Sequence, residues 1–350
     1  MGWVEPEFTK KRVQKAGESL IETNCSDAER AEALDILSNW RAAHSYPMHA
    51  VLMFLRRKSS EIDNSAVVVQ RLKRTPSILS KLKRYPSMKL HRMQDISGCR
   101  SVLKTNRQVE KLARSLETSR TVHKLHKVNN YIDVPKESGY RGIHLVYKYN
   151  GAKEKYQDYF VEVQLRSRIQ HAWATAVEIV DSFTSQALKA SQGSNDWLDF
   201  FLYASAEFAK IEFRPIGDHL QGIDTLAGLK RLEKKLNAIN QLTAFAVSSR
   251  YINKRAKRTS DYFLLELHES AQRIGVTQYP SRELHIATQE YLEREKKARD
   301  DISFNAVLVS ATSLQGLKKA YPNYFADSRQ FIKYLNQALA PNIALSRNGK

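Results

Sequence analysis

One short segment of the chain alternates strictly between apolar and polar residues. It covers residues 159–166, and its period of two is typical of a half-buried strand. The predicted strand carries Val161, Val163 and Leu165 on one face and Glu162, Gln164 and Arg166 on the other. A solvated sheet face produces the same alternation, so the pattern alone leaves open whether the polar row has a function.

Other segments show the spacing of amphipathic helices. Residues 1–60 are expected to be helical, because Ser26 can cap a helix with Glu29 in its first turn and apolar residues follow at helical intervals. Pro47 is expected to begin a further helix. A helix after Arg166 is expected to cover the sheet with its apolar positions, which are Ile169, Trp173, Ala176, Val180 and Phe183.

The character of the sequence changes near Pro215, where we expect a domain boundary. Beyond it, the pattern predicts a strand over residues 261–268, a helix over 281–299 and a strand over 303–311, which together indicate a smaller α+β module. The predicted division is a helical N-terminal extension over residues 1–60, a central domain over 61–214 and a C-terminal domain over 215–350.

Composition narrows the classes of function. The chain has 350 residues and a net charge of +19, which favours an anionic partner such as nucleic acid, although solvated lysines produce the same charge. Two cysteines allow neither a disulfide framework nor a thiolate zinc site, and the cytoplasm is the default location. The apolar run near residues 50–55 is too short to span a bilayer, so no membrane partner is expected.

Basic residues concentrate in one part of the chain. A second strand is predicted over residues 66–74, and Thr75 and Pro76 then offer an N-cap and a first helical position for a helix over residues 78–84. The N-terminus of that helix favours an anion. Residues 71–92 contain eight Lys or Arg residues and no Asp or Glu, so we expect an anion-binding site here.

A flexible loop follows in the middle of the chain. Residues 135–144 contain a proline and two glycines and display Lys136, Tyr140 and Arg141. The loop runs into a predicted strand over residues 143–149. A strand with a carboxylate beside a basic, glycine-containing loop suits a metal-bound polyphosphate and a stacked base.

Four short motifs follow one another along the chain. They are Arg-x-Lys-x-x-x-Ser-Ile-x-x-Lys at residues 71–81, Asp-Ile-x-Gly-x-Arg at 95–100, Tyr-Ile-x-x-Pro-Lys-x-x-Gly-Tyr-x-x-Ile-His at 131–144, and Glu-x-Gln-x-Arg at 162–166. In this order they resemble the synthetase domain of the RelA/SpoT family, whose members transfer pyrophosphate from ATP to a ribose 3′-hydroxyl. The resemblance covers about residues 60–185 and implies an α+β fold with a mixed sheet flanked by helices.

The resemblance also implies roles for individual residues. Asp95 and Glu162 are the expected Mg²⁺ ligands and catalytic carboxylates, and Glu162 could in addition accept a proton from the attacking hydroxyl. The residues expected to bind ATP are Arg71, Lys73, Arg74, Ser77, Lys81 and Arg100. The residues expected to bind the acceptor are Lys136, Tyr140, His144, Gln164 and Arg166.

Departures from the family pattern lie around the acceptor-binding motif. Asn129, Asn130, Ser138 and Gly142 replace residues that are common in nucleotide-making relatives, whereas the ATP and metal motifs are intact. The chain lacks the His-Asp dipeptide of the family's hydrolase domain. Within the family it resembles the toxic stand-alone branch, which modifies the 3′ CCA end of tRNA, more closely than the alarmone makers. Its domain layout and a short tyrosine motif resemble those of the fused toxin–antitoxin proteins of phage defence of the CapRel type.

Three functions remain open at this stage. The first is ATP-dependent pyrophosphate transfer to the tRNA 3′ end, and the second is (p)ppGpp synthesis from GDP or GTP. The third is a catalytically silent RNA-binding module.

The C-terminal domain is expected to restrain the enzyme. Tyr321 and Tyr324 would block the ATP site, and a phage protein that binds residues 250–345 would release the block. The alternative is that both tyrosines are core residues.

Overall fold

The computed structural model describes the chain as two compact units. The described residues are 3–187, 194–243, 262–268, 273–283, 286–287, 289–290, 293–294, 304–310 and 324–340. The first unit contains Met1–Ile132 and Gly142–Arg168, and the second contains Asp133–Arg141 and Ile169–Lys350. The chain therefore leaves the first unit at residue 133 and returns to it at residue 142. The three-part division given above stays a prediction.

The first unit is an α+β domain built on a five-stranded mixed sheet. Its helices are α1 (Lys10–Ser19), α2 (Asp27–Ala43), α3 (Ser45–Ser60), α4 (Thr75–Arg84) and α5 (Asn106–Thr118). Its strands are β1 (Val67–Leu72), β2 (Ser97–Leu103), β3 (Lys124–Asn130), β4 (Ile143–Lys148) and β5 (Phe160–Ser167). The strand order is β1-β2-β5-β4-β3, with β2 and β5 parallel and the other neighbours antiparallel. The predicted α+β fold class, a mixed sheet flanked by helices, is confirmed.

Helices α3 and α5 cover the apolar face of this sheet. Val161, Val163 and Leu145 are buried there in one core with Leu52 of α3 and Leu112 of α5. Alternate residues of a strand point to opposite sides, so the polar residues between them belong to the other face. We call this the polar face of the sheet, and its members include Arg71, Arg100, His144, Glu162, Gln164 and Arg166.

Local sequence signals account for where several helices begin. The Ser26 side chain accepts from the backbone of Glu29, and Glu29 caps Ser26 in return, so the predicted capping pair at the start of α2 is confirmed. The predicted N-cap at Thr75 is wrong. Arg74 occupies the N-cap position of α4, and the helix includes Thr75 because Pro76 suits the first turn.

The second unit combines helices with a small antiparallel sheet. Its described helices are α6 (Arg168–Ala187, which begins in the first unit), α7 (Ser194–Ile211), α8 (Thr225–Leu236) and α9 (Tyr324–Leu339). Its described strands are β6 (Tyr262–His268), β7 (Arg273–Tyr279) and β8 (Phe304–Ser310), in the order β7-β6-β8. The core joins residues from both halves of the unit, since Phe263 and Phe331 are buried in one cluster with Trp173 and Phe200.

Two expectations about these elements differ from the structure. The apolar residues of α6 pack within the second unit, where Trp173 Nε1 donates to the Phe201 carbonyl oxygen over 2.7 Å, whereas α3 and α5 cover the sheet. Strand β3 was not predicted, because nearly all its side chains are exposed and it lacks an apolar face. Within the described ranges, no helix combines the length and the apolar character that a membrane span requires.

Candidate active site

The register of the sheet brings six of the predicted site residues onto the polar face, including Arg166 of β5. Gly98 on β2 pairs with Arg71 on β1 and with Glu162 on β5. Two positions further along, Arg100 on β2 pairs with Gln164 on β5, and Gln164 pairs with His144 on β4. Paired residues on neighbouring strands point to the same side of a sheet. The polar row of the 159–166 alternation is therefore part of a connected polar surface.

Glu162 is the most strongly perturbed acid of this surface. Its side chain is 17% exposed, His144 Nδ1 lies 3.0 Å from Oε1, and Gln164 Nε2 donates to Oε2 over 2.6 Å. Burial raises the pKa of Glu162, but the hydrogen bonds and charge of His144, the hydrogen bond of Gln164 and the charge of Lys81 outweigh it and lower the pKa to about 2. Glu162 is thus a carboxylate at neutral pH and a weak proton acceptor in this arrangement.

The amide of Gln164 links the acid to two arginines. Its nitrogen donates to Glu162, and its oxygen accepts from Arg100 Nε at 3.4 Å and from Arg166 Nη2 at 3.3 Å. Arg166 is buried despite its charge. These contacts orient the amide, because only the oxygen can accept from a guanidinium.

Asp95 lies immediately before β2 and meets two lysines. Lys73 Nζ lies 3.0 Å and Lys81 Nζ 2.9 Å from the same oxygen, Oδ2. The other oxygen, Oδ1, is buried and has no hydrogen-bond partner among the described residues. The Lys73 backbone is fixed as well, since Arg41 Nε donates to its carbonyl oxygen over 2.7 Å. Sequence reasoning missed Arg41, and no motif marks it.

The donor chemistry of this surface fits a magnesium ion. Asp95 offers a buried carboxylate oxygen without a partner, and Glu162 offers a second, ionised carboxylate. Within the described part of the chain, no group of three or more His, Cys, Asp or Glu side chains could hold a metal. Two carboxylates suit Mg²⁺, which retains waters and binds substrate phosphates, better than a metal that needs a closed protein cage.

The remaining predicted ATP-binding residues surround the start of α4. Arg71, Arg74 and Ser77 are exposed, and no side chain caps the helix. The basic residues Lys73 and Lys81 lie at the end of β1 and within α4. The start of α4 carries no acidic residue in its first turn, which is compatible with the predicted anion-binding site.

Lys136 and Tyr140 belong to the second unit, whereas His144, Gln164 and Arg166 belong to the first. The Lys136 ammonium lies 5.2 Å from the centre of the Tyr140 ring, and the Lys136 backbone N–H donates to the Tyr140 carbonyl oxygen over 3.2 Å. The structure thus places the predicted acceptor residues in two sets, one in each unit.

The loop that carries Lys136 and Tyr140 packs on α7. Gly139 has φ +84°, and a Cβ at this position would come within 3.0 Å of Ser205 Cβ, so glycine is required here. The Ser205 hydroxyl donates to the Gly139 carbonyl oxygen, and Arg141 Nε donates to Ser205 Oγ over 3.2 Å. Arg141, expected to be displayed, is buried instead, and burial lowers its pKa to about 10 against the opposing charges of Glu212 and Asp133.

Comparison with known proteins agrees with the motifs. Residues 70–180 match the family model described as "Region found in RelA / SpoT proteins". The match supports the RelA/SpoT family for this third of the chain. No curated protein matches.

Several solved structures of small synthetases are similar. Small alarmone synthetase 1 from Bacillus subtilis, bound to its product pppGpp, is 24% identical over 48% of this chain and 90% of that chain, with a TM-score of 0.40. Small alarmone synthetase 2 from the same organism is 21% identical over 50% and 92%, with a TM-score of 0.42. A GTP pyrophosphokinase family protein from Streptococcus pneumoniae is 20% identical over 47% and 84%, with a TM-score of 0.38.

Proposed function

We propose that the protein is an ATP-dependent pyrophosphotransferase that moves the β,γ-pyrophosphate of ATP to a ribose 3′-hydroxyl. The observation that carries the proposal is the position of Lys81, which pairs with Asp95 and also lowers the pKa of Glu162. Lys81 thus forms an ion pair with one carboxylate and adds to the effect of His144 and Gln164 on the other, so both acids belong to a basic surface of the kind that a metal–triphosphate complex requires. The RelA/SpoT match over residues 70–180 supports the same chemistry.

The donor side of the site explains how ATP would be held. The groups proposed to bind its phosphates are Arg71, Lys73, Arg74, Ser77, Lys81 and Arg100. A triphosphate competes with Asp95 for Lys73 and Lys81, so ATP binding would release the carboxylate. Asp95 and Glu162 would then hold Mg²⁺, which neutralises charge that develops on the phosphates.

The transfer itself is an in-line displacement. The 3′-hydroxyl of the acceptor gives its proton to solvent water and its oxygen forms a bond to the β-phosphorus, while the bond from that phosphorus to the α-phosphate oxygen breaks and AMP leaves. The chain's part is to position the two reactants and to stabilise charge. Lys136, Tyr140, His144, Gln164 and Arg166 are proposed to bind the acceptor. The low pKa of Glu162 favours a role as ligand and charge over a role as the proton acceptor.

We propose the 3′ end of tRNA as the acceptor. The net charge of +19 and the acid-free basic segment over residues 71–92 exceed what a mononucleotide requires. The second basic cluster, residues 250–258, lies outside the described residues. The steep salt dependence expected of an RNA acceptor separates this choice from GDP or GTP.

The test uses γ-labelled ATP and Mg²⁺ with tRNA, GDP and GTP offered separately. Label on tRNA together with AMP release supports the proposal. Glu162→Gln should abolish both, while Glu22→Gln, which changes an exposed acid, should not. Robust labelling of GTP that is insensitive to salt would indicate (p)ppGpp synthesis. Failure to label any acceptor, with tRNA still bound, would indicate the silent RNA-binding module.

We further propose that the protein is a cytoplasmic toxin of phage defence, restrained by its C-terminal domain until a phage protein binds there. Tyr321 and Tyr324 are proposed to block the ATP site. Tyr321 lies outside the described residues. Tyr324 begins α9, but its side chain is not among the parts that the structure describes. The test is growth after induction of the full-length protein and of the Tyr321→Ala/Tyr324→Ala variant. If only the double-tyrosine variant is toxic, and its toxicity is lost when Glu162→Gln is added, the result supports the restraint. If the variant is folded and active but cells grow normally, the result contradicts it.

A further inference from the structure

The two most exposed large apolar side chains of the described residues lie on one surface of the second unit. Phe213 is 88% exposed and Val134 is 74% exposed. Each is next in sequence to one partner of an ion pair, since Arg214 Nη1 lies 3.9 Å from Asp133 Oδ1. We call these four residues the Phe213 patch.

The segments on either side of the patch also meet. A Cβ built on Gly217 would come within 3.1 Å of Pro135 Cγ. The chain after α7 therefore contacts the loop of residues 133–141 at a second point, in addition to the ion pair. The ion pair and this contact hold the segments that carry Phe213 and Val134 against each other, so the exposed positions of both side chains are built into the fold.

The backbone at Phe213 is unusual for a large side chain. Arg214 N–H donates to the Ala209 carbonyl oxygen over 2.8 Å, Phe213 N–H donates to that of Lys210 over 3.1 Å, and Phe213 has φ +54°. This pair of hydrogen bonds is the Schellman motif that ends α7, and its left-handed residue is usually glycine. A phenylalanine there destabilises the fold and, being exposed, gains little packing in return. The ring therefore indicates a role outside the fold.

The chemistry around the ring suits a nucleic acid. Lys136 is exposed two residues after Val134, and Arg214 follows Phe213 directly. The segments that meet at the patch thus supply two cations, of which Arg214 is paired with Asp133, and an accessible aromatic ring of this kind can stack on a base of single-stranded RNA. The net charge of +19 favours such a polyanion over an apolar protein surface.

We propose that the Phe213 patch is a subsite for the single-stranded 3′ end of the acceptor RNA. Phe213 stacks on a base of that end, and Lys136 and Arg214 contact phosphates. The inference rests on the proposed function, in which the loop with Lys136 and Tyr140 binds the acceptor. A mononucleotide acceptor has no second base to stack, so the subsite would distinguish RNA from GDP or GTP.

The experiment measures RNA binding without ATP, by fluorescence anisotropy of a labelled single-stranded RNA that ends in CCA. Phe213→Gly should weaken binding roughly 5- to 150-fold, as loss of one stacked base does. It should also leave the melting temperature unchanged or raise it, because glycine relieves the left-handed backbone. Phe213→Trp should retain binding. Leu198→Ser, which removes an exposed apolar side chain from α7, is the matched control.

Two kinds of result would overturn the subsite. One is RNA binding by Phe213→Gly equal to that of the wild type, or no binding by the wild type at low salt. The other is light scattering that shows an oligomer dissociated by Phe213→Gly, which would assign the patch to self-association. If Phe213→Gly weakens binding but RNA receives no label from ATP, the subsite stands and the proposed function fails.

Discussion

Lys81 Nζ lies 2.9 Å from Asp95 Oδ2, and the same lysine helps to hold the pKa of Glu162 near 2. One cation thus pairs with Asp95 and contributes to the lowered pKa of Glu162, a residue 67 positions away in the sequence. A phosphate that binds Lys81 would weaken its hold on both acids at once. In the proposed mechanism, binding of ATP and release of the two proposed metal ligands are therefore coupled.

Asp95→Asn should separate ATP binding from transfer. The variant removes an expected metal ligand, so we expect AMP release to fall roughly 100-fold or more. It also frees Lys73 and Lys81 from their carboxylate, so ATP affinity should stay the same or increase. Calorimetric titration with ATP and an AMP-release assay check both quantities, and Asp35→Asn on the exposed side of α2 is the control. Equal losses of ATP binding and transfer would contradict the coupling.

The lowered pKa of Glu162 predicts a pH dependence of stability. The pKa falls from 4.5 in the unfolded chain to about 2 in the fold, so the stabilising effect is complete above pH 4.5 and is lost as the pH falls through 2. Between pH 7 and pH 3, the wild type should lose about 2 kcal/mol more unfolding free energy than Glu162→Gln. Urea denaturation of both proteins measures this difference. Parallel curves over this range would show that the carboxylate is not stabilised as described.

Sequence patterns predicted the parts of the site that depend on local structure. The alternation over residues 159–166 placed Glu162 and Gln164 on one face, and the basic segment placed Lys73 and Arg74 beside a helix N-terminus. Both signals are local because they follow from strand and helix periodicity. The ion pairs that join Lys73 and Lys81 to Asp95 depend on how α4 packs, so spacing could not reveal them.

The separation of the predicted acceptor residues into the two units likewise could not be predicted from the sequence. Motif order placed Tyr140 and His144 together because they are four residues apart. In the structure, Gly139 packs on Ser205, and the loop belongs to the second unit. That contact joins positions 66 apart, and a glycine that allows close packing looks like any other loop glycine in a sequence.

Ser205→Ala should weaken binding of the acceptor without affecting binding of ATP. The hydroxyl donates to the Gly139 carbonyl oxygen and accepts from Arg141, so it positions the loop of Lys136 and Tyr140. We expect KM for the acceptor to rise several-fold, in line with about 1 kcal/mol for one lost hydrogen bond, while KM for ATP is unchanged. Hydrogen exchange of a peptide spanning residues 133–141 should accelerate. Ser60→Ala, at an exposed serine, is the control, and an equal change in both KM values would indicate general destabilisation instead.

The packing of Phe331 predicts that the second unit does not fold when the chain is cut at the expected domain boundary near Pro215. Its fully buried ring on α9 lies 5.7 Å from Phe201 and 5.4 Å from Phe208, measured between ring centres, so α9 completes the core around α7. Phe331→Ala should cost about 3–5 kcal/mol of unfolding free energy, whereas Lys333→Ala on the exposed side of α9 should cost little.

A chain that ends near residue 215 should aggregate or melt without cooperativity, because it exposes the aromatic face of α7. Failure of such a fragment to inhibit growth would then reflect misfolding rather than the lack of a toxic activity. Point variants at Tyr321 and Tyr324 in the full chain are therefore the sound test of the proposed restraint. A fragment that remains monomeric and melts cooperatively would show that α7 does not depend on α9.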